Sequence, residues 1–193
     1  MSTCCFSALT PRVKPRNSSL MKNYDIIYIP DPVLKQEAQL VDKIDDGIRA
    51  QMDGMLKAMY DAPGIGLAAN QVGLLNRVLV MDLSDKEAGE DPNPICMANP
   101  EVIYESEQMS VMQEGCLSIP RQYGDVERPA IVRVKYWDYD GKEAELEAEG
   151  LLSHCVQHEI DHLNGVLFID YLSSLKRNMI IKKIDKMKKQ GIL

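Results

Sequence analysis

Residues 157–163 read Gln-His-Glu-Ile-Asp-His-Leu, and the H-E-x-x-H pattern inside them decides how the rest of the chain is interpreted. On an α-helix, residues four positions apart lie on one face, about 5–6 Å from each other, so His158 and His162 can bind one metal ion. Glu159 follows the first histidine, where it can act as general base toward a water molecule at the metal. Taken alone, the pattern leaves a metal site and a chance match on a charged helix equally open.

A third metal ligand has to come from outside this helix. His154 is eight residues from His162, about 12 Å along a helix, which is too far to share an ion whose Zn–N bonds are about 2.0–2.1 Å. We therefore expect His154 to be packed or to line a pocket. Cys155 lies on the same helix and is a poor candidate. The better candidate is Cys116, within Glu114-Gly-Cys-Leu-Ser-Ile-Pro120.

One thiolate and two imidazoles form a plausible catalytic metal set, because three protein ligands leave the fourth position open, whereas structural sites usually close it. The alternative is that Cys116 is a nucleophile with a histidine base, as in a thiol hydrolase. That alternative leaves the second histidine and Glu159 without a role.

A glycine-containing loop covers residues 63–73, Pro-Gly-Ile-Gly-Leu-Ala-Ala-Asn-Gln-Val-Gly. It resembles a phosphate-binding loop only weakly, because its glycines follow a predicted helix rather than a strand. Close approach of the backbone to a ligand is the better interpretation, since glycine lacks a Cβ. The Gln71 amide could then donate a hydrogen bond to a developing oxyanion.

Hydrophobic spacing and turn signals predict an α+β fold. We expect its mixed or antiparallel sheets to pack around the helix that carries the H-E-x-x-H pattern. The Asp140-Gly141 pair predicts a hairpin turn between two strands. The predicted elements are a helix over 44–60, strands over 77–83, 131–137 and 143–149, a helix beginning near 151, and a C-terminal amphipathic helix over 172–187.

Composition limits the class of protein. The chain has 193 residues and a net charge of −7, which argues against general nucleic-acid binding, and no specific DNA partner is expected. It has no run of about 20 apolar residues, so no membrane span is expected. Residues 1–20 contain three basic and no acidic residues and predict an N-terminal extension: a transit segment, or a disordered tail upstream of another start. Residues 21–193 are expected to form a single catalytic domain.

Three segments together are similar to the signature motifs of peptide deformylase. They are Gly64-Ile-Gly-Leu-Ala-Ala-Asn-Gln71, Glu114-Gly-Cys-Leu-Ser118 and Gln157-His-Glu-Ile-Asp-His-Leu163, in the order of that family. The resemblance implies hydrolysis of the formyl group from N-formylmethionine at the start of newly made polypeptides, with release of formate. It implies N-formylmethionyl nascent polypeptides as the partners.

The resemblance also assigns roles to residues. Cys116, His158 and His162 would hold the metal, and Glu159 would move the proton. The oxyanion would be stabilised by the metal, the Gln71 amide and the Leu117 backbone N–H. The implied substrate-binding residues are Ile65, Gly66, Met112, Gly115, Leu117, Leu151, His154, Cys155 and His158.

The choice of metal differs between the two lines of reasoning. Ligand chemistry alone favours Zn(II), whereas the resemblance implies Fe(II) in the cell, with Zn(II), Ni(II) or Co(II) possible in purified protein. Arg121 and His154 depart from the family pattern, where an acidic and an apolar residue are more common. We expect these two positions to affect substrate preference.

The C-terminal segment is strongly basic, with seven Lys or Arg and one Asp in residues 176–193. A solvated helix face explains it as well as docking to the ribosome, which the resemblance suggests. The expected compartment is the bacterial cytoplasm, and import into an organelle is the alternative. A general metallopeptidase and a metal or redox sensor are the competing functions.

Overall fold

Seven β-strands and three α-helices make up residues 22–85 and 88–193, the part of the chain that the structure, a computed structural model, describes. The strands are β1 (Gly66–Ala68), β2 (Val78–Met81), β3 (Ile95–Glu105), β4 (Met109–Cys116), β5 (Ile119–Pro129), β6 (Ile131–Trp137) and β7 (Glu143–Glu149). The α-helices are α1 (Asp46–Asp61), α2 (Gly150–Leu163) and α3 (Ser174–Lys189). Short 3-10 helices lie at Pro32–Lys35, Ala69–Val72 and Phe168–Tyr171.

The strands form two antiparallel sheets. The larger sheet has the order β1-β2-β3-β6-β7, and β4 pairs with β5 in a separate two-stranded sheet. The predicted hairpin is confirmed: β6 and β7 pair from Ile131 opposite Glu149 to Trp137 opposite Glu143, and Gly141 in the turn has a φ of 82°. Helices and antiparallel sheets thus occur together, and the α+β class is confirmed.

Helix α2 is the central element, as expected. Ten of its fourteen residues are buried, and they include polar residues as well as apolar ones. It contacts β1, β2 and β7 of the large sheet and β5 of the small one. Buried polar side chains need hydrogen-bond partners or ligands. The histidines and Glu159 of this buried helix therefore need such partners inside the protein.

Helix α1 begins two residues later than its apolar pattern predicts. The Asp45 carboxylate accepts a hydrogen bond of 3.0 Å from the backbone N–H of Ile48 and so caps the helix at residue 46. The helix buries three methionines, Met52, Met55 and Met59, against the main core. It ends at Asp61, two residues before Pro63 and Gly64, which begin the glycine loop.

Helix α3 belongs to a second core. Its Ile180 and Ile184 pack with residues of the 3-10 helices and β5, such as Leu34 and Ile119. The predicted amphipathic helix is confirmed, but its apolar stripe is not buried throughout. Leu175 and Met179 are 70% and 52% exposed.

Two expectations concern the N-terminal extension and membrane-spanning helices. The predicted extension at residues 1–20 lies outside the described residues, so its character remains a prediction. Within the described part of the chain, no helix has the length and apolarity that a membrane span requires.

Candidate metal centre and active site

Three predicted metal ligands meet at one point in the fold. Cys116 is the last residue of β4, and His158 and His162 lie one turn apart on α2. One potential ligand atom from each residue falls within 4.8 Å of the others. The Cys116 Sγ is 3.1 Å from His162 Nε2, and the rings of His158 and His162 meet edge to face at 4.9 Å between centroids.

The donor set suits a divalent metal ion. One sulfur and two nitrogens are ligand types that zinc and similar ions take, and three protein ligands would leave a further position for water or substrate. Burial, followed by the charge of His158, lowers the pKa of His162 well below its ordinary value. The ring is therefore neutral at pH 7, which is the form that binds a metal.

Glu114 orients the first histidine ligand, a role that its position in the sequence does not predict. Its Oε2 accepts a hydrogen bond of 2.9 Å from His158 Nδ1, so the Nε2 of that ring is left to face the ligand cluster. Its Oε1 accepts a second one, 3.0 Å long, from His154 Nδ1. A carboxylate that fixes the tautomer of a ligating histidine is a regular part of metal sites.

A buried arginine keeps Glu114 ionised. Arg128, 3% exposed, donates from Nε and Nη2 to the two oxygens of Glu114 at 2.6 and 3.0 Å, and from Nη1 to Asp161 at 2.7 Å. Burial opposes ionisation of Glu114, but the hydrogen bonds from His158 and Arg128 outweigh it and hold the pKa of this carboxyl well below its usual range. Tyr171 also donates to Asp161 and lies under the Arg128 guanidinium.

Glu159 lies inside the site with one oxygen unused. It is 4% exposed, and its Oε2 has no hydrogen-bond partner among the described residues. Burial raises its pKa to about 7, where a general base can both accept and release a proton at neutral pH. A Cβ at residue 66 would collide with this carboxylate, so only glycine fits there.

The Gln71 amide points at the metal ligand. Its Nε2 lies 3.4 Å from Cys116 Sγ and 3.2 Å from Ser118 Oγ, while its Oε1 accepts a hydrogen bond from the backbone N–H of Ala68. This last bond fixes which end of the amide faces the site. The structure therefore places an N–H donor beside Cys116.

A cavity of about 610 Å³ opens over these groups. Its walls include all of the residues predicted to bind substrate: Ile65, Gly66, Met112, Gly115, Leu117, Leu151, His154, Cys155 and His158. The glycine loop forms one wall and contacts the residue after the cysteine ligand, since a Cβ at Gly64 would lie 2.7 Å from Leu117 Cδ1.

His154 and Cys155 lie in the wall of this cavity and are not part of the metal cluster found among the described residues. His154 is 2% exposed, and its Nε2 is 2.8 Å from Ser110 Oγ. Glu114 accepts from Nδ1, so both ring nitrogens of His154 have a polar partner. Burial raises the pKa of Cys155 well above its ordinary value, so this thiol stays protonated.

Comparison with known proteins agrees with the geometry. Residues 23–178 match the family model described as polypeptide deformylase. The peptide deformylase of Rhizobium meliloti is 56% identical over 164 residues, which cover 85% of this chain and 93% of that protein. That of Brucella suis is 53% identical over 165 residues, covering 86% of this chain and 93% of the relative.

Solved structures give the same result. The crystal structure of peptide deformylase from Ehrlichia chaffeensis superimposes with a TM-score of 0.84 at 36% identity, covering 89% of this chain and all of that one. A second structure of that enzyme, in complex with actinonin, has a TM-score of 0.81 at 40% identity and covers 86% of this chain and 98% of that one. The chain belongs to the polypeptide deformylase family.

Proposed function

We propose that this chain is a metal-dependent hydrolase that removes the formyl group from the N-terminal formylmethionine of new polypeptides. The observation that carries the proposal is the meeting of Cys116, His158 and His162 beside a buried Glu159 with a free oxygen. A divalent metal held by these three ligands supplies a Lewis acid that polarises a carbonyl and strengthens water as a nucleophile. We propose Fe(II) as the metal in the cell.

Glu159 carries the proton through the reaction. It accepts a proton from the water that attacks the formyl carbon and delivers it to the nitrogen of the departing amine. The C–N bond of the formamide breaks, and the products are formate and a free N-terminal amine. Its raised pKa suits both transfers, because the same carboxyl has to gain and lose the proton in each cycle.

Gln71 and Leu117 stabilise the negative charge on the formyl oxygen. The Gln71 Nε2 already points toward Cys116, and the backbone N–H of Leu117 follows that ligand in the chain. Loss of one such donor typically costs about 2.7–4 kcal/mol in the barrier. The extended peptide would then contact the main chain at Ile65, Gly66 and Gly115.

The test is release of a free amine from formyl-Met-Ala-Ser by protein loaded anaerobically with Fe(II), or with the more air-stable Ni(II). Acetyl-Met-Ala-Ser and a blocked internal peptide serve as controls, because a general metallopeptidase would cleave the latter. Turnover of the formyl peptide, with no turnover of either control peptide, supports the proposal. A protein that binds one metal and releases no amine would contradict it and would favour the sensor function.

His154 is proposed to select for the methionine side chain. Its ring lies in the cavity wall with both nitrogens already bonded, so it offers an aromatic edge to the thioether sulfur, a contact worth about 0.3–1.5 kcal/mol. We expect His154→Ile to reduce the preference for formyl-Met over formyl-norleucine peptides by about two- to tenfold in kcat/KM. Ser110→Ala removes one bond from the ring but keeps the ring, and it should retain the preference. An unchanged preference in His154→Ile would make the residue a bystander.

The basic helix α3 is proposed to dock on the ribosome near the emerging chain. An enzyme with this partner would work where translation takes place, in the bacterial cytoplasm or in an organelle with its own translation. Lys182, Lys183 and Lys186 are exposed on α3, whereas Ile180 and Ile184 of the same helix are buried. Truncating the helix would therefore open the second core, and charge removal is the better test.

We expect a triple change of Lys182, Lys183 and Lys186 to Gln to weaken co-sedimentation with ribosomes. In a plot of the logarithm of the binding constant against the logarithm of the salt concentration, the slope should decrease in magnitude by about one for each lysine that no longer neutralises a phosphate. Turnover of formyl-Met-Ala-Ser should not change, since none of these lysines lines the cavity. Ribosome pelleting equal to that of the parent protein would contradict the docking proposal.

A further inference from the structure

One cation stands in the wall of the active-site cavity. Arg121 is the sole Lys or Arg among the described residues that line it. The two acidic residues of the lining, Glu114 and Glu159, are both buried, and Glu114 is already paired with Arg128. The Arg121 side chain is exposed and makes no ion pair with any described residue.

The backbone holds this arginine in a conformation that few side chains adopt. Its φ is +60°, in the left-handed region that non-glycine residues visit rarely. The Arg121 carbonyl accepts a hydrogen bond of 2.7 Å from the Gln122 side chain, and Gln122 is itself buried. Uncommon backbone conformations of this kind persist where the surroundings fix them, and they are frequent at ligand-binding positions.

The position of Arg121 along β5 relates it to the reacting end of the substrate. Ile119 is the residue of β5 that pairs with the ligand Cys116, and Arg121 is two residues further on. The register shifts between the Gly115–Tyr123 and Cys116–Ile119 pairs, so this stretch of β5 is not a regular strand. Two residues of chain span at most about 7 Å, so Arg121 lies within about 7 Å of Ile119. An extended peptide with its formyl group at the metal ligands has its second and third residues at a comparable distance.

No other exposed residue of β5 is a cation, because Arg128 of this strand is buried and paired with Glu114 and Asp161. Tyr123, Asp125 and Glu127 are the next exposed residues of β5 on the same alternation, and Asp125 is four residues from Arg121, about 13 Å away. The chain as a whole carries a charge of −7. An acidic protein repels acidic peptides, and Arg121 is the group at the cleft that offsets this repulsion.

We propose that Arg121 is a specificity-determining residue that favours formylmethionyl chains with Asp or Glu at their second or third position. This inference rests on the proposed function and names the substrate class within it. The arginine binds the acidic side chain by a charge-assisted contact at the rim of the cleft and takes no part in the chemical step.

The test compares isosteric peptide pairs: formyl-Met-Glu-Ala-Ser with formyl-Met-Gln-Ala-Ser, and formyl-Met-Ala-Glu-Ser with formyl-Met-Ala-Gln-Ser. A solvent-exposed ion pair predicts a kcat/KM about three- to fivefold higher for the Glu peptide of at least one pair, chiefly through KM. The ratio of kcat/KM for the Glu peptide to that for the Gln peptide should fall to about one in Arg121→Gln and below one in Arg121→Glu. In the parent protein this ratio should approach one at 0.5 M salt, because exposed charges are screened.

The matched control is Arg133→Gln, an exposed arginine of β6 that does not line the cavity; it should keep the preference of the parent. A Glu preference absent from the parent, or unchanged in Arg121→Gln, overturns the inference. The neutral peptide formyl-Met-Ala-Ser distinguishes failure of the Arg121 inference from failure of the proposed function. If the parent hydrolyses it and the charged pairs show no difference, only the role of Arg121 fails; if it is not hydrolysed, the proposed function fails as well.

Discussion

Glu159→Gln is expected to lower kcat/KM for formyl-Met-Ala-Ser by about 10³- to 10⁴-fold, while the protein retains one metal ion per chain. Positioned general acid–base groups contribute about 10²–10⁴, and this residue acts twice, on the attacking water and on the departing amine. Glutamine has almost the same size as glutamate, so it fits beside Gly66, where the space is too small for a Cβ. It cannot accept the proton.

Metal analysis of the purified variant separates loss of the base from loss of the metal. Glu159 is not one of the three clustered ligands, so Glu159→Gln should bind the metal as the parent does. Glu147→Gln, at an exposed position of β7, is the matched control and should keep full activity. If Glu159→Gln retained more than a tenth of the parent rate with its metal bound, the proton would have to be carried by another group.

The sequence predicted those parts of the fold whose local signals agree with their burial. Helix α1 has apolar residues at helical spacing, and β6 and β7 flank an Asp-Gly pair, so periodicity and turn chemistry point to the same elements. Strand β2 was found for a similar reason: it is a short run of apolar residues, and all four are buried.

Strands β4 and β5 escaped prediction because charges occupy their buried positions. Glu114 and Arg128 point inward, where a half-buried strand normally has apolar residues. On a linear sequence these charges suggest a surface segment. Tertiary structure explains the pattern: Arg128, which lies opposite Ser110 in the register, forms a buried ion pair with Glu114 of the neighbouring strand.

The residues of the candidate site also differ in whether the sequence predicts them. His158, Glu159 and His162 belong to a short motif that allows a metal and a base, and the family resemblance adds Cys116; the structure brings the three ligands together and places Glu159 in the wall of the same cavity. Arg128 has no such motif, because it reaches Glu114 and Asp161 across the fold. A contact made by tertiary structure leaves no local pattern, so sequence reasoning could not find the group that keeps Glu114 charged.

This buried arginine leads to the largest expected effect on stability. Arg128→Met should lower the free energy of unfolding by about 3–5 kcal/mol, because removing one partner of a buried ion pair leaves an uncompensated charge. Here Glu114 would lose two hydrogen bonds and Asp161 one. For a chain of this size the change corresponds to a fall in Tm of roughly 6 to 20 °C.

The matched control is Arg133→Met on β6. Arg133 lies 3.6 Å from Glu147, and both side chains are largely exposed, so its loss should cost about 0.2–1 kcal/mol. Urea unfolding of both variants, measured without metal and after metal loading, provides the comparison. If the two substitutions cost the same, the Arg128 cluster does not hold the site together.

Arg128→Lys distinguishes charge from geometry and provides a measurement if the Met variant does not fold. Lysine keeps the positive charge but cannot make the three directed bonds that Arg128 makes to Glu114 and Asp161. Because Glu114 orients His158, a misplaced carboxylate should also weaken metal binding by about 10- to 100-fold. Metal affinity restored by Lys would show that the charge alone suffices; affinity still lowered in a folded Arg128→Lys protein would show that the directed bonds position the ligand.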